Sequence, residues 1–410
     1  MLRIRPRSLI TIFIIFTLCT CIDPYSPILK GYGSLLVVDG LITDENTSYT
    51  VKLSKTIQES NDKQHYVSDA TLFITGENGR SNYLLNKGNG IYKTDSINFI
   101  GKIGETYILH IITGEGNEYV SEPCQMQPVP EIDSIYYAKD QETINNGTDS
   151  QAGIRIFLDS KEGENNQYFR WAFEETWKFK VPYPKRFNFD MTDSAITAVP
   201  DVKEYCWKIT KSDEINIHSI YTLQSNRIEK QPIFFIASDK SNRLLLQYHI
   251  LINQYSISKK EYDFWNNLKQ VNESGGDIFA KQPFTVVSNI YNINNPEERV
   301  LGYFQVSAVK QKGKYIPFID IVGMNLPYFH YPCDRMVKEP NDYPNGFGVP
   351  PPTWDNLYSM FCITSDYYFV EPLYYPGTNN LQKMVFARPE CANCELTGTQ
   401  KKPDFWVDIN

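Results

Sequence analysis

Two-residue alternation of apolar and polar positions dominates the first third of the chain. Tyr49, Val51 and Leu53 alternate with Thr50, Lys52 and Ser54, and Tyr107, Leu109 and Ile111 repeat the period around Ile108 and His110. Successive strand side chains point to opposite faces, so this pattern predicts strands with one face turned to a core. Asn78-Gly79 lies between the runs 71–75 and 83–85, and Gly114-Glu115-Gly116 separates Ile112 from Tyr119. Both are hairpin signals, because Gly and Asn accept the positive φ of tight turns. Short strands with regular turns and no helical period predict a small β-sandwich, Ig-like or transthyretin-like, over residues 34–130. Pro123, Pro128 and Pro130 then punctuate the chain and place a domain boundary near Pro130.

Beyond it the alternation returns with more aromatic content. Ile154, Ile156 and Leu158 share one face, and Phe169, Trp171 and Phe173 alternate with Arg170, Ala172 and Glu174 until Pro182 and Pro184 close the run. Further strands are expected over 215–223, 233–237, 244–256 and 300–309. One helix stands out: Ser258 and Glu261 form a capping box, Tyr262, Trp265, Leu268 and Val271 follow at helical spacing, and Gly275-Gly276 stops the run. Residues 131–410 therefore read as a larger β-rich domain with one or few helices. Its stretch 340–354, with Pro350-Pro351-Pro352, reads as an extended loop.

The first 20 residues differ from everything after them. Arg3, Arg5 and Arg7 precede a run from Leu9 to Leu18 dominated by Leu, Ile and Phe, and cysteines follow at 19 and 21. This is the layout of a cleaved secretory signal peptide. The apolar run is about 10 residues, whereas a bilayer-spanning helix needs roughly 20. Leu18-Cys19-Thr20-Cys21 is similar to a bacterial lipobox, with Thr20 where Gly, Ala or Ser is usual, so Cys21 is the expected site of lipidation and residues 21–33 the tether. Several acyl chains hold a protein on a membrane where one binds only marginally. The competing reading is an ordinary secretory peptide that leaves Cys21 as a thiol.

Composition narrows the partners. With 41% hydrophobic and 21% charged residues the chain is suited to packed structure rather than disorder. The formal charge is −8, and loss of the three signal-peptide arginines leaves 37 basic against 48 acidic residues, or −11. Nucleic acid needs a positive field and is not an expected partner. Six cysteines follow Cys21: Cys124, Cys206, Cys333, Cys362, Cys391 and Cys394. In an exported chain an even number predicts disulfides, with the pairing left open. The alternative is zinc, from the Cys391-Ala-Asn-Cys394 spacing with His330 and Cys333, but a structural zinc site normally uses two such pairs.

Catalytic signatures are missing from the sequence. It contains no His-Glu-x-x-His, Gly-x-Ser-x-Gly, phosphate-loop or dinucleotide-binding motif, so no catalytic residue, metal or cofactor is assigned. Glu174-Glu175 and Glu297-Glu298 read as solvated surface, and the scattered His65, His110, His218, His249 and His330 as structural side chains. Aromatics make up 14% of the chain, and most should pair across strands. The exception is the Pro-broken stretch with Tyr367, Tyr368, Tyr374 and Tyr375, which together with Trp354 beside the proline loop forms the candidate partner-binding surface.

Several segments in their order resemble one family: Cys21-Ile-Asp-Pro-Tyr25, Leu36-Val-Val-Asp-Gly40, Pro128-Val-Pro-Glu-Ile-Asp-Ser134, Cys206-Trp207, the Gly275 to Pro283 segment, Leu301-Gly-Tyr-Phe304, and Cys391 to Trp406. They are similar to Bacteroidetes lipoproteins catalogued as domain of unknown function 4249. The resemblance implies an outer-membrane lipoprotein often encoded beside a TonB-dependent receptor, and it carries over no catalytic residues. The expectation is a non-enzymatic, lipid-anchored accessory or ligand-capturing partner of such a transporter. The rival readings are a structural or adhesive surface protein and a hydrolase with a dispersed site.

Overall fold

In the computed structural model, the described residues are 34–57, 64–77, 79–144, 147–163, 167–220, 227–274, 286–342 and 353–409. The expected signal peptide, the expected lipidation site Cys21, the expected tether, Gly275-Gly276 and the Pro350-Pro351-Pro352 stretch lie outside them.

Strand Leu36–Ile42 buries Leu36, Val38 and Ile42 on one face and pairs antiparallel with Thr50–Lys55. A second sheet runs through Thr71–Gly76, Thr106–Ile112 and Glu118–Ser121, including both expected hairpins. The two sheets close over Val38, Leu53, Leu72, Ile74, Tyr92 and Leu109. The fold is mainly β, as the alternation predicts.

The expected unit 34–130 is not closed by its own strands. Leu301–Val306 pairs parallel with Leu36–Ile42, and Ile290–Asn292 extends the second sheet beside Glu118–Ser121. Ile290, Val300, Phe304 and Val306 join the same core. A parallel neighbour cannot come from a hairpin and needs a long crossover, which explains why the completing strand lies far along the chain. It also covers what would otherwise be an open sheet edge.

The second sandwich packs a sheet of Ile132–Ile144, Asp149–Ser160 and Ile228–Ala237 against a sheet ordered Tyr205–Lys211, Tyr168–Lys180, Gln247–Ser256 and Val309–Pro317. Phe169, Trp171, Phe173, Trp177 and Phe179 project to a shared core with Ile154, Ile156 and Leu158. The Trp171 indole donates to Gln254 Oε1 at 2.9 Å, and Gln254 Nε2 donates to the Pro130 carbonyl at 2.8 Å, so a buried polar link pins the inter-domain segment. The expected strand 300–309 is two strands serving different sandwiches. They divide at Ser307 and Ala308, where Ser307 Oγ donates to the Ser256 carbonyl at 2.7 Å.

Helix Lys259–Ser274 spans the junction. Ser258 Oγ accepts from the Glu261 N–H at 3.1 Å as expected, but the Glu261 carboxylate accepts from Trp265 Nε1 at 3.3 Å instead of completing the capping box. Tyr262 packs on Tyr168 of one sandwich and Phe264 on Tyr303 of the other.

Residues 131–410 also contain a second, smaller unit. The sheet Met336–Lys338, Leu381–Ala387 and Tyr368–Tyr374 is buried on both faces: Phe369, Met384 and Phe386 meet Phe189, Leu357 and Phe361 on one side, while Val370, Val385 and Ala387 meet Cys391 and Ala392 on the other. Disulfides Cys206–Cys394 and Cys333–Cys391 fasten this unit, so the two halves of the Cys-x-x-Cys pair bond to different partners. Cys124 and Cys362 correct the expectation of six paired cysteines, since both are thiols. Cys124 packs in the first sandwich and Cys362 in the small unit, each in a separate core. Burial pushes these thiols up, to about 12 and about 11. Among the described residues no group of three His, Cys, Asp or Glu side chains has metal-holding geometry, and no helix is long and apolar enough to cross a membrane.

Candidate functional site

The far end of strand Tyr168–Lys180 faces the small stapled unit across a cleft of about 480 Å³. Trp177 and Phe179 form its floor, Lys208 and Thr210 come from the neighbouring strand, Lys240 to Arg243 from a turn, and Phe329, Tyr331, Arg388 and the Cys333–Cys391 disulfide from the opposing wall.

Asn242 locks floor to wall. Its Oδ1 accepts from the Trp177 indole at 3.0 Å and its Nδ2 donates to the Tyr331 hydroxyl at 3.1 Å, while that hydroxyl donates to the Lys180 carbonyl at 2.6 Å. The next residue, Arg243, lies 5.0 Å above the Trp177 ring centroid and pairs through Nε with Glu175 Oε2 at 2.9 Å and through Nη2 with Glu175 Oε1 at 3.2 Å. Glu175 also accepts from Tyr248 Oη at 2.8 Å and Thr210 Oγ1 at 3.2 Å. Burial and the adjacent carboxylate hold the Tyr248 phenol well above its ordinary range. Glu175 is therefore a buried, fully occupied anchor, which corrects its reading as solvated surface; Glu174 beside it is half-buried. Period-two placement itself explains this, because Glu175 shares the inward face of Phe173 and Trp177.

Lys208 places its ammonium 5.7 Å from the Trp177 centroid. Among the described residues it has no carboxylate within ion-pair distance. Among the described residues the lining holds one carboxylate, Glu390, and no histidine. This is a set suited to holding a ligand: rigid aromatics, positive groups and neutral hydroxyls.

A second hollow of about 380 Å³ lies between the first sandwich and the helix, lined by Cys124, Ser258, Lys260, Glu261 and Tyr303 among others. Burial pushes the Glu261 carboxyl up to about 7, partly opposed by the Arg170 charge. Burial raises the Cys124 thiol as well, so Cys124 is not an activated thiolate.

The sequence-derived candidates divide. Trp354 and Tyr367 pack against the small unit's core, and Tyr367 hydrogen-bonds Arg388 at the cleft rim. Tyr368 packs against that unit's opposite-face core with Lys185 over its ring. Tyr374 and Tyr375 are exposed side by side at the end of their strand. The histidines do not enter the cleft lining: His110 stacks on Phe73, and burial pushes His249, packed against Tyr315 and Phe405, down to about 4. Sequence reasoning did not single out Trp177, Lys208, Asn242, Arg243 or Arg388, which lie far apart in the chain. The buried acid among aromatics at Glu175 was the available signal.

No curated protein matches the chain. A solved structure titled "Biofilm associated protein - BSP domain" is similar at 6% identity over 72% of this chain and 62% of that chain, with a TM-score of 0.11. The family model described as "Domain of unknown function (DUF4249)" matches residues 22–313, which include the first sandwich, the helix and the second sandwich up to the middle of its strand Val309–Pro317, and stop short of the small sheet that begins at Met336. The chain belongs to the DUF4249 family.

Proposed function

We propose that this chain is a ligand-capturing accessory lipoprotein of the bacterial envelope. It is tethered to the outer membrane through acylated Cys21 and works beside a TonB-dependent transporter without catalysing a reaction. The observation that carries this reading is the cleft: a preformed hollow of about 480 Å³ with aromatic walls, positive groups and no histidine, held by two disulfides. Disulfides persist in oxidising compartments, which supports export. The tether supports a working position near the membrane, since about 12 residues extended at ~3.3 Å each reach at most ~40 Å. Tyr374 and Tyr375, exposed on the small unit, are the proposed contact with the transporter.

The tether is tested by fractionation. Cys21→Ser is expected to leave the membrane fraction or to accumulate as uncleaved precursor, while Cys19→Ser behaves as the wild type. Normal processing and membrane attachment of Cys21→Ser would overturn the lipoprotein reading.

A further inference from the structure

The cleft runs against the charge of the chain around it. The chain carries a formal −8, yet among the described residues the lining gathers Lys208, Lys240, Arg243 and Arg388 against the one carboxylate of Glu390. Arg243 is answered from beneath by Glu175. Among the described residues Lys208 has the Trp177 ring beside it and no ion pair, Lys240 has its half-buried sequence neighbour Asp239 at 3.8 Å, and Arg388 hydrogen-bonds Tyr367 with Glu390 and Asp334 nearby. Cations held around a concave, low-dielectric wall focus a positive field and draw an anion. The wall beside them is apolar: Phe329 and Tyr331 meet edge to face at 5.1 Å, half-buried, above the floor of Trp177 and Phe179. The volume falls in the range of about 300–1,000 Å³ that suits a small organic ligand.

We propose that this cleft takes a small organic anion whose charged group, a carboxylate, sulfate or phosphate, adjoins an apolar or ring-shaped body. The charged group sits among Lys208, Lys240 and Arg388, and the body lies against Phe329 and Tyr331. The assignment rests on the reading of the chain as a capturing protein and names the class of its cargo.

The test is a fluorescence and calorimetric titration of the soluble, cleaved form of the chain carrying Cys21→Ser, so that neither acyl groups nor the apolar segment 9–18 contributes. Three probes separate the two halves of the ligand: 8-anilinonaphthalene-1-sulfonate carries both, N-phenyl-1-naphthylamine lacks the charge, and inorganic sulfate lacks the rings. The aryl sulfonate is expected to saturate at one site, at least about tenfold more tightly than either of the others, since removing a charged hydrogen bond or an aromatic packing partner from such a site costs about that factor. Lys208→Gln with Arg388→Gln should weaken it a further tenfold or so, while Lys52→Gln on the distant first sandwich leaves it unchanged. Both replaced side chains are exposed, and Lys208→Gln alone serves as the second variant if the pair does not fold. Equal affinity for the neutral and charged ring probes, or binding indifferent to the Lys208 and Arg388 changes, would overturn the proposal. Transporter copurification does not depend on these probes, so failure here is distinguishable from failure of the accessory reading.

Discussion

Gly302→Ala is expected to destabilise the protein by ~3 kcal/mol or more, because it combines a disallowed backbone conformation, worth about 1–3 kcal/mol, with a main-chain collision. Gly302 has φ +85°, and a Cβ there would stand 1.9 Å from the Val38 carbonyl oxygen and 2.8 Å from its carbon. Neither strand can step aside. Val38 is held on its other edge by Leu53, and residues 301 to 306 are in continuous parallel register with 37 to 42. The crossover strand that completes the first sandwich would have to open, exposing Phe304 and Val306. At roughly 2–4 °C per kcal/mol for a domain of this size, the thermal midpoint should fall by about 6–12 °C. Gly323→Ala, where an added Cβ meets nothing within 4 Å, is the matched control and should stay close to wild type. Equal midpoints for Gly302→Ala and the control would show that the parallel pairing does not hold the first sandwich together.

Loss of the Cys206–Cys394 disulfide is expected to have an effect of comparable size. It closes a sequence separation of 188 residues, for which the chain-entropy relation gives ~5 kcal/mol, with measured losses for such bridges usually about 2–5 kcal/mol. The bridge starts the C-terminal strap. Beyond it Thr399 exchanges backbone hydrogen bonds with Trp207 at 2.8 and 2.9 Å, Trp406 packs edge-on to Trp207 and Tyr315, and Gln247 Nε2 donates to the Val407 carbonyl at 2.6 Å. Those interactions persist without the bridge, so Cys206→Ser with Cys394→Ser should fold but unfold at lower denaturant. Thiol labelling of denatured, unreduced protein should mark Cys124 and Cys362 and spare the other four among the described cysteines. Labelling of Cys206 or Cys394 under those conditions, or an unchanged denaturation midpoint, would contradict this.

Much of the β architecture was legible because strand periodicity is a local signal. The alternation around Tyr49 to Leu53 and Phe169 to Phe173, the Gly114 turn and the Ser258 cap each reappear as structure. What was not legible depends on distant pairing. Nothing local in Leu301–Val306 says that its partner is Leu36–Ile42 rather than the next hairpin, so the sandwich reads as ending at Pro130 when its closing strand lies far beyond. Ser307-Ala308 shows no Gly or Pro, yet the chain passes from one sandwich to the other there. The cysteines were countable but not pairable, since Cys391 and Cys394, only three residues apart, reach Cys333 and Cys206 in different elements. The cleft escaped for the same reason. Its floor, turn and wall come from residues near 177, 242 and 331, which meet through contacts between distant residues: Asn242 hydrogen-bonds to both Trp177 and Tyr331, and Tyr331 to the Lys180 carbonyl.

The accessory reading is tested most directly by recovering the tagged wild-type chain from detergent-solubilised membranes of its own source and identifying what comes with it. An outer-membrane β-barrel transporter should be recovered in near-equal amount, and Tyr374→Ser with Tyr375→Ser should reduce that recovery while leaving the thermal midpoint unchanged. Recovery of the chain with no barrel protein, under conditions that keep it acylated and folded, would contradict the account.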